Sequence, residues 1–274
     1  MSVVAVGKAK AWGTTTAVMA LANVWPPERR LVVAECDPAG GDLAPRYGLP
    51  LEPGLMSLAA AARRELSVAT VEANSQTLPG GLAVVVSPPG AEQARAALSP
   101  IAGRLAEAMR AEPDYDVLAD CGRLDPSSPA VELARSAALT VLVARATLEE
   151  IAHVAARVDA LRASGCEVVV VLVEDEPHLG GARPYRADEV AAVVGAEVVG
   201  TLAHDPPGAA LLAGRRTGGR ALQRCGLIRS ARVVAAALVA RLPNSAHGAR
   251  AETTPAWRPS APATAATPHL RART

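Results

Sequence analysis

The chain has 274 residues, half of them hydrophobic, and a formal net charge of +1. This size and apolar content predict a domain with a sizeable core, and the absence of Phe means that Val, Leu and Ala must supply it. The balanced total charge says nothing about partners, since it can conceal local clusters of charge.

Cysteine usage and apolar segments bear on the chemistry and location of the protein. The four cysteines, Cys36, Cys121, Cys166 and Cys225, lie far apart and have no CxxC or Cys/His spacing that would indicate a metal site or a redox pair. The N-terminus lacks the pattern of a signal peptide, and no apolar run approaches the roughly 18 residues of a membrane span. We therefore predict a cytoplasmic protein without a transmembrane segment.

Short apolar runs alternate along the chain with longer stretches of helical spacing. The runs lie at 2–6, 31–36, 82–87, 115–120, 138–144, 167–174 and 197–202. The helical stretches lie at 14–25, 54–64, 90–111, 127–136, 147–164 and 187–194, with a closing helix at 227–242. This alternation predicts an α/β fold with a doubly wound, mostly parallel sheet and helices on both faces.

Domain organisation follows from where this alternation stops. It accounts for residues 1–242, which we interpret as one domain. Residues 243–274 are rich in Pro, Ala, Thr and Arg and have almost no regularly spaced apolar positions, so we predict a disordered tail.

The first strand is followed by a loop that resembles a phosphate-binding loop. An intact loop reads GxxxxGK[ST], in which backbone N–H groups and the lysine contact phosphates and the hydroxyl ligates magnesium. Here the stretch "GKAKAWGTTT" has Gly13 at the lysine position if Thr14 supplies the hydroxyl, and Thr14 at that position if Thr15 does. Neither register contains the lysine. The candidate nucleotide-binding residues are Gly7, Lys8, Lys10, Gly13, Thr14, Thr15 and Thr16.

The loop alone has two interpretations. A helix that begins with threonines presents backbone donors and a positive dipole to an anion, and Thr14 or Thr15 could then bind magnesium. Alternatively, Thr14 only caps a core helix. The sequence of this loop favours neither interpretation.

Two further strand ends carry acidic residues. Asp37 lies in "ECDPAGGD", directly after the second apolar run, and Asp120 ends the fourth run, "YDVLAD". Ligands on doubly wound sheets bind beyond the carboxyl ends of the strands, which favours a site at these positions. Asp-Pro before Gly-Gly is also ordinary turn chemistry, whereas an aspartate ending an apolar strand is costly unless it is solvated or paired.

The segment from 206 to 250 is locally basic, with eight arginines and no acidic residue. Four of these arginines, Arg215, Arg216, Arg220 and Arg224, lie in or near a glycine-containing loop and form a candidate contact patch for DNA phosphates or a protein partner. A solvated arginine-rich loop is the alternative.

Taken together, the three strand ends resemble the MinD and ParA family of deviant P-loop (SIMIBI-type) ATPases, whose loop reads KGGxGKTT. The resemblance covers about residues 1–242. It implies that Lys8 is the signature lysine that reaches a nucleotide across a homodimer interface. It also implies that Asp37 orients the attacking water and that Asp120 supports magnesium through water. The implied cofactors are ATP or ADP with magnesium. The loop is degenerate with respect to the family, because Gly13 stands at the position of its second lysine when Thr14 supplies the hydroxyl.

The missing lysine bears on the rate of ATP hydrolysis that we expect. Loss of such a contact typically costs a hundredfold or more in rate, so we expect slow or absent ATP hydrolysis. The resemblance implies a positioning or partitioning protein, as in chromosome or plasmid segregation, with a partitioning partner and possible nonspecific DNA binding. The alternative is a nonenzymatic localisation adaptor for a pilus or secretion machinery and its ATPase. A metabolic relative of the same fold fits less well, because its intact loop or cluster cysteines are missing.

Overall fold

The computed structural model describes residues 2–10, 13–109, 115–174, 185–214 and 219–242. Within these ranges the chain forms eight strands and twelve helices. The strands are β1 Ser2–Lys8, β2 Arg30–Glu35, β3 Gln76–Thr77, β4 Ala83–Val85, β5 Tyr115–Arg123, β6 Leu139–Arg145, β7 Val168–Val173 and β8 Val198–Leu202. The helices are α1 Thr14–Ala22, α2 Leu43–Tyr47, α3 Leu55–Ala61, α4 Val68–Ala73, α5 Ala91–Leu98, α6 Ala102–Met109, α7 Ala130–Ser136, α8 Leu148–Ala163, α9 Ala187–Val194, α10 Pro206–Leu212, α11 Gly219–Arg224 and α12 Gly226–Val239.

The strands form one sheet in the order β3-β4-β2-β5-β1-β6-β7-β8. Every neighbouring pair is parallel except β3 with β4. Helices cover both faces, so the strands consist of unbroken apolar runs rather than alternating ones. The predicted fold class is confirmed, and each predicted strand corresponds to an observed one.

Two apolar cores lie on opposite faces of the sheet. Val4, Val6 and Leu118 face the core that contains α1 and α12, and Ala5 and Ala119 face the other core. Successive residues of a strand point to opposite faces, which divides each strand between the two cores. Because of this alternation, only every second side chain of a strand can reach a site on a given face of the sheet.

Some helix boundaries differ from the predicted ones. The predicted helix at 90–111 is interrupted by Pro100, which has no N–H group and clashes with the preceding turn, so α5 and α6 are separate. The prediction missed α2 and α4 as well as two helices of the basic segment. One of these, α10, begins with two prolines that suit the first turn of a helix, and Asp205 caps it.

A buried acidic network lies at the amino end of the sheet, away from the strand ends discussed above. Asp116 is fully buried, and its carboxylate accepts hydrogen bonds from the backbone N–H of Ser2 (3.1 Å) and from Trp25 Nε1 (2.9 Å). Arg29 donates to both oxygens through Nε and Nη2. The network ties β5 to β1 and to the segment that follows α1.

Among the described residues, no helix combines the length and the apolar character that a membrane span requires.

Candidate functional site

The loops after β1, β2 and β5 meet at the carboxyl edge of the sheet, because these three strands are neighbours in the order β2-β5-β1. Residue pairs across this edge include Glu35 with Asp120 and Val6 with Asp120. The three strand ends singled out in the sequence therefore lie side by side. They define a candidate nucleotide site of the kind that doubly wound sheets place at this edge.

The candidate phosphate loop begins with half-buried Lys8, continues through exposed Lys10 and ends at Gly13, immediately before α1. Gly13 has a φ of +105°, which an L-residue adopts only at a cost of about 1–2 kcal/mol. An added Cβ would meet no atom of the described residues within 4 Å, so the restriction they impose is conformational rather than steric. Lysine at position 13 is thus disfavoured by the backbone of the loop itself.

The threonines that begin α1 have different surroundings. Thr14 is the first helical residue and makes no capping bond, because the N-cap position is occupied by Gly13. Its hydroxyl is buried and has no hydrogen-bond partner among the described residues. The Thr15 hydroxyl is hydrogen-bonded to the Asp120 carboxylate, and Thr16 lies half-buried in the first turn. The capping alternative for Thr14 is therefore wrong.

Replacing Thr14 with valine is expected to raise the free energy of unfolding of the ligand-free protein by about 1 kcal/mol, because it removes a buried hydroxyl that has no hydrogen-bond partner among the described residues. Urea unfolding followed by circular dichroism measures the change. The matched control is Thr15→Val, which breaks the bond to Asp120 and should instead lower stability by a similar amount. A loss of stability in Thr14→Val would show that the hydroxyl has a protein partner.

Asp120 is the central carboxylate of the site. It is buried at the end of the apolar part of β5 and accepts the backbone N–H of Gly122 at 3.2 Å as well as the Thr15 hydroxyl. Its pKa is raised to about 6, mainly by burial and in part by nearby Asp37, while the Thr15 hydroxyl, the Gly122 N–H and Lys8 oppose the rise. Lys8, Thr15 and Asp37 thus all act on one carboxylate.

Asp37 lies against the last residues of β5. Its Oδ1 accepts the backbone N–H of Ala39 at 2.8 Å, which fixes the tight turn predicted for Asp-Pro-Ala-Gly. A Cβ at Gly122 would lie 2.0 Å from Asp37 Cγ, and Gly122 has a φ of +56°. Both observations favour glycine at position 122, and they place the Asp37 turn in direct contact with the end of β5.

Glu35, the last residue of β2, holds the Asp37 loop in place. Its Oε1 accepts the backbone N–H groups of Asp42 (2.6 Å) and Leu43 (2.8 Å), and Oε2 accepts that of Ser87 (2.9 Å). Its pKa is raised to about 7, mainly by burial and in part by Asp120, while these three bonds oppose the rise. The sequence did not single out Ser87, although its position as the polar last residue of the apolar run 82–87 was a usable signal.

The residues present fit a magnesium ion shared with phosphates. Within the described ranges there is no cluster of three or more His, Cys, Asp or Glu residues that could hold a metal by itself. Magnesium needs no such cluster, since it keeps several waters and binds one or two protein oxygens plus substrate phosphates. The unpartnered Thr14 hydroxyl next to the Thr15–Asp120 pair supplies that kind of oxygen.

The basic patch is only partly described. Arg220 and Arg224 are exposed, and they lie on α11 rather than in the predicted loop. Arg215 and Arg216 lie outside the described residues. The described half of the patch is thus a helical surface next to α12.

Comparison with known proteins adds a structural relationship. No protein-family model and no curated protein sequence matches the chain. Among solved structures, a ParA family ATPase from Chlorobium tepidum TLS is 16% identical, with a TM-score of 0.65, covering 86% of this chain and 97% of that one. MinD from Pyrococcus horikoshii OT3, in complex with Mg-ADP, is 14% identical, with a TM-score of 0.64 and coverages of 85% and 94%. The MinC:MinD cell division complex of Aquifex aeolicus gives 12% identity, a TM-score of 0.64 and coverages of 91% and 99%.

These likenesses establish the class first: the chain has a P-loop NTPase-like α/β fold. More particularly, it has the fold of the ParA and MinD ATPases over most of its length. At these identities the comparison concerns the fold, and the chemistry has to be argued from the residues.

Proposed function

We propose that this protein is a MinD/ParA-like nucleotide-binding protein that acts in intracellular positioning or partitioning and hydrolyses ATP slowly or not at all. The observation that carries the proposal is the convergence of Lys8, Thr15 and Asp37 on the buried Asp120 carboxylate. A strand end with a purely structural role does not require two carboxylates, a lysine and a threonine hydroxyl at one place. Such a combination of groups suits a phosphate-bound magnesium ion.

Each residue of the site has a proposed role. Thr14 would ligate magnesium, with Thr15 as the alternative ligand, and Asp120 would act on the ion through water. Asp37 would orient the attacking water if hydrolysis occurs, and Lys8 would reach the nucleotide of a second subunit in a homodimer. The Mg-ADP complex of the Pyrococcus horikoshii MinD supports the choice of ADP or ATP with magnesium as the ligand.

Slow hydrolysis follows from the phosphate loop. Positioned cations stabilise the charge that develops during phosphoryl transfer, and the lysine of the loop is normally one of them. Gly13 supplies no charge, and its left-handed backbone disfavours any replacement side chain at that position. Binding can persist without the lysine because the helix N-terminus and magnesium remain available.

Calorimetry with magnesium and either ATP or ADP tests the proposal directly. We expect micromolar binding by the wild type and a loss of about tenfold or more in Lys8→Ala, because a charged contact to phosphate is removed. The matched control is Lys10→Ala, which removes an exposed lysine of the same loop and should have a smaller effect. Asp37→Ala should bind nucleotide as the wild type does.

Two outcomes would contradict parts of the proposal. No binding at millimolar nucleotide would reject the nucleotide switch. Turnover of several ATP per minute by the wild type, abolished in Asp37→Ala, would reject slow hydrolysis while retaining the site.

A second candidate function is favoured by the loss of the loop lysine, since neither Gly13 nor Thr14 supplies that charge. In that case the protein is a nonenzymatic localisation adaptor for a pilus or secretion machinery. The MinC:MinD complex supports a protein partner under either candidate. Exposed Arg220 and Arg224 remain a proposed contact for DNA or a partner, and DNA binding of this kind would weaken with added salt.

A further inference from the structure

We propose that Arg123 binds the polyphosphate of the nucleotide and supplies the positive charge that the phosphate loop lacks. This inference rests on the proposed nucleotide binding and adds a residue to that same site. It concerns the last side chain of β5, on a different segment from the phosphate loop. The ligand class is a nucleoside di- or triphosphate.

The first step of the argument is a β-bulge. The register between β1 and β5 pairs Val6 with Asp120 but Lys8 with Arg123, so β5 has one more residue than β1 over this interval. Gly122, with its φ of +56°, lies within the extra length, as glycine does in many bulges. A bulge changes the face to which the following side chain points.

The second step is the face on which Arg123 consequently lies. Strict alternation from Asp120 would place Arg123 on the sheet face opposite to Asp120. The bulge instead pairs Arg123 with Lys8, which lies two residues after Val6 and therefore on the face of α1 and the candidate site. Leu124 confirms the reversal, since its side chain packs on the opposite face, where a Cβ added to Gly7 would lie 2.6 Å from it.

The third step is the anchoring of the guanidinium. Arg123 Nε donates to the carbonyl oxygen of Ala9 at 3.1 Å, and the backbone N–H of Leu124 donates to the carbonyl of Lys8 at 3.1 Å. These bonds hold Arg123 against the candidate phosphate loop. The side chain is exposed, and among the described residues it makes no ion pair and no second hydrogen bond. Its two terminal nitrogens are thus available to a ligand.

The fourth step is the chemistry of the ligand. A guanidinium binds two phosphate oxygens at once through parallel N–H donors, which suits an anchored arginine at the edge of a polyphosphate site. Asp125 does not neutralise this charge by direct pairing, because its Oδ1 accepts both the backbone N–H and the hydroxyl of Ser127. Arg123, Lys8 and the N-terminus of α1 together form a cationic rim around one loop.

Calorimetric titration of the full chain with MgADP and MgATP tests the inference in the variants Arg123→Gln and Arg123→Lys. We expect Arg123→Gln to weaken both nucleotides by about tenfold or more, and Arg123→Lys to recover part of the loss because it retains the charge. The matched control is Arg104→Gln, an exposed arginine that also donates to a main-chain carbonyl, that of Ala62. It should bind both nucleotides as the wild type does.

The outcomes separate the inference from the proposed function. If the wild type binds nucleotide and Arg123→Gln binds as tightly as Arg104→Gln, the role of Arg123 is rejected and the nucleotide site stands. If the wild type binds neither nucleotide, both are rejected. Adenosine, which has no phosphates, should bind to all of the variants with the same affinity. If Arg123→Gln loses as much affinity for adenosine as for MgADP and MgATP, the effect of the substitution is a general structural one and the inference is overturned.

Discussion

Replacing Asp116 with alanine should lower the free energy of unfolding by about 3–5 kcal/mol, the cost typical of removing one partner of a buried ion pair. The Asp116 carboxylate is fully buried and accepts bonds from Ser2, Trp25 and Arg29. Alanine would leave the Arg29 charge and two further donors without this acceptor. Urea unfolding monitored by circular dichroism gives the magnitude.

The control for Asp116 is an aspartate with an exposed partner. Asp42 pairs with Arg46 one helical turn later, and its side chain is 57% exposed, so Asp42→Ala should cost less than about 1 kcal/mol. A similarly small loss in Asp116→Ala would mean that the network contributes little to stability. Nucleotide binding should survive Asp116→Asn, because the network lies at the other end of the strands.

Replacing Glu35 with glutamine should remove a pH dependence of stability. The Glu35 pKa is raised from 4.5 in the unfolded chain to about 7 in the folded protein, mainly by burial, so the folded state binds the proton more tightly. Stability contributed by the protonated form is then complete below pH 4.5 and is lost as the pH rises towards about 7. The loss amounts to about 3 kcal/mol, since one pKa unit corresponds to about 1.4 kcal/mol.

The measurement is the difference in unfolding free energy between Glu35→Gln and the wild type across this pH range. This difference should move in favour of the variant by about 3 kcal/mol from pH 4.5 to pH 8. Asp120 titrates in the same direction in both proteins, and because its charge also raises the Glu35 pKa, the measured difference includes the coupling between the two carboxyls. Glu28→Gln, at an exposed glutamate, should keep the wild-type profile. A constant difference between Glu35→Gln and the wild type would contradict the raised pKa.

The fold could be predicted from the sequence because parallel strands buried on both faces are continuous apolar runs. The helix boundaries could be predicted less well, because proline is compatible with the first turn of a helix as well as with a loop. Prolines 206 and 207 begin a helix that the alternation of apolar runs did not predict, and the apolar spacing of 90–111 continues across Pro100, which divides it.

The site was predictable only as far as it depends on strand ends. Asp37 and Asp120 follow buried strands, which is where ligands bind on such sheets. The three backbone donors to Glu35 come from distant residues, including Ser87, and cannot be inferred from spacing. Arg123 was missed for a different reason: one extra residue in β5 reverses the face that alternation assigns to it.

The bare Cα at position 122 links the second and third strand ends of the site. The Asp37 carboxylate fills the space that a side chain at position 122 would need, so a larger residue there would displace that carboxylate. The turn that holds Asp37 and the end of β5 are thus packed directly against each other. A side chain introduced at position 122 would therefore disturb Asp37 and the neighbouring Arg123 together.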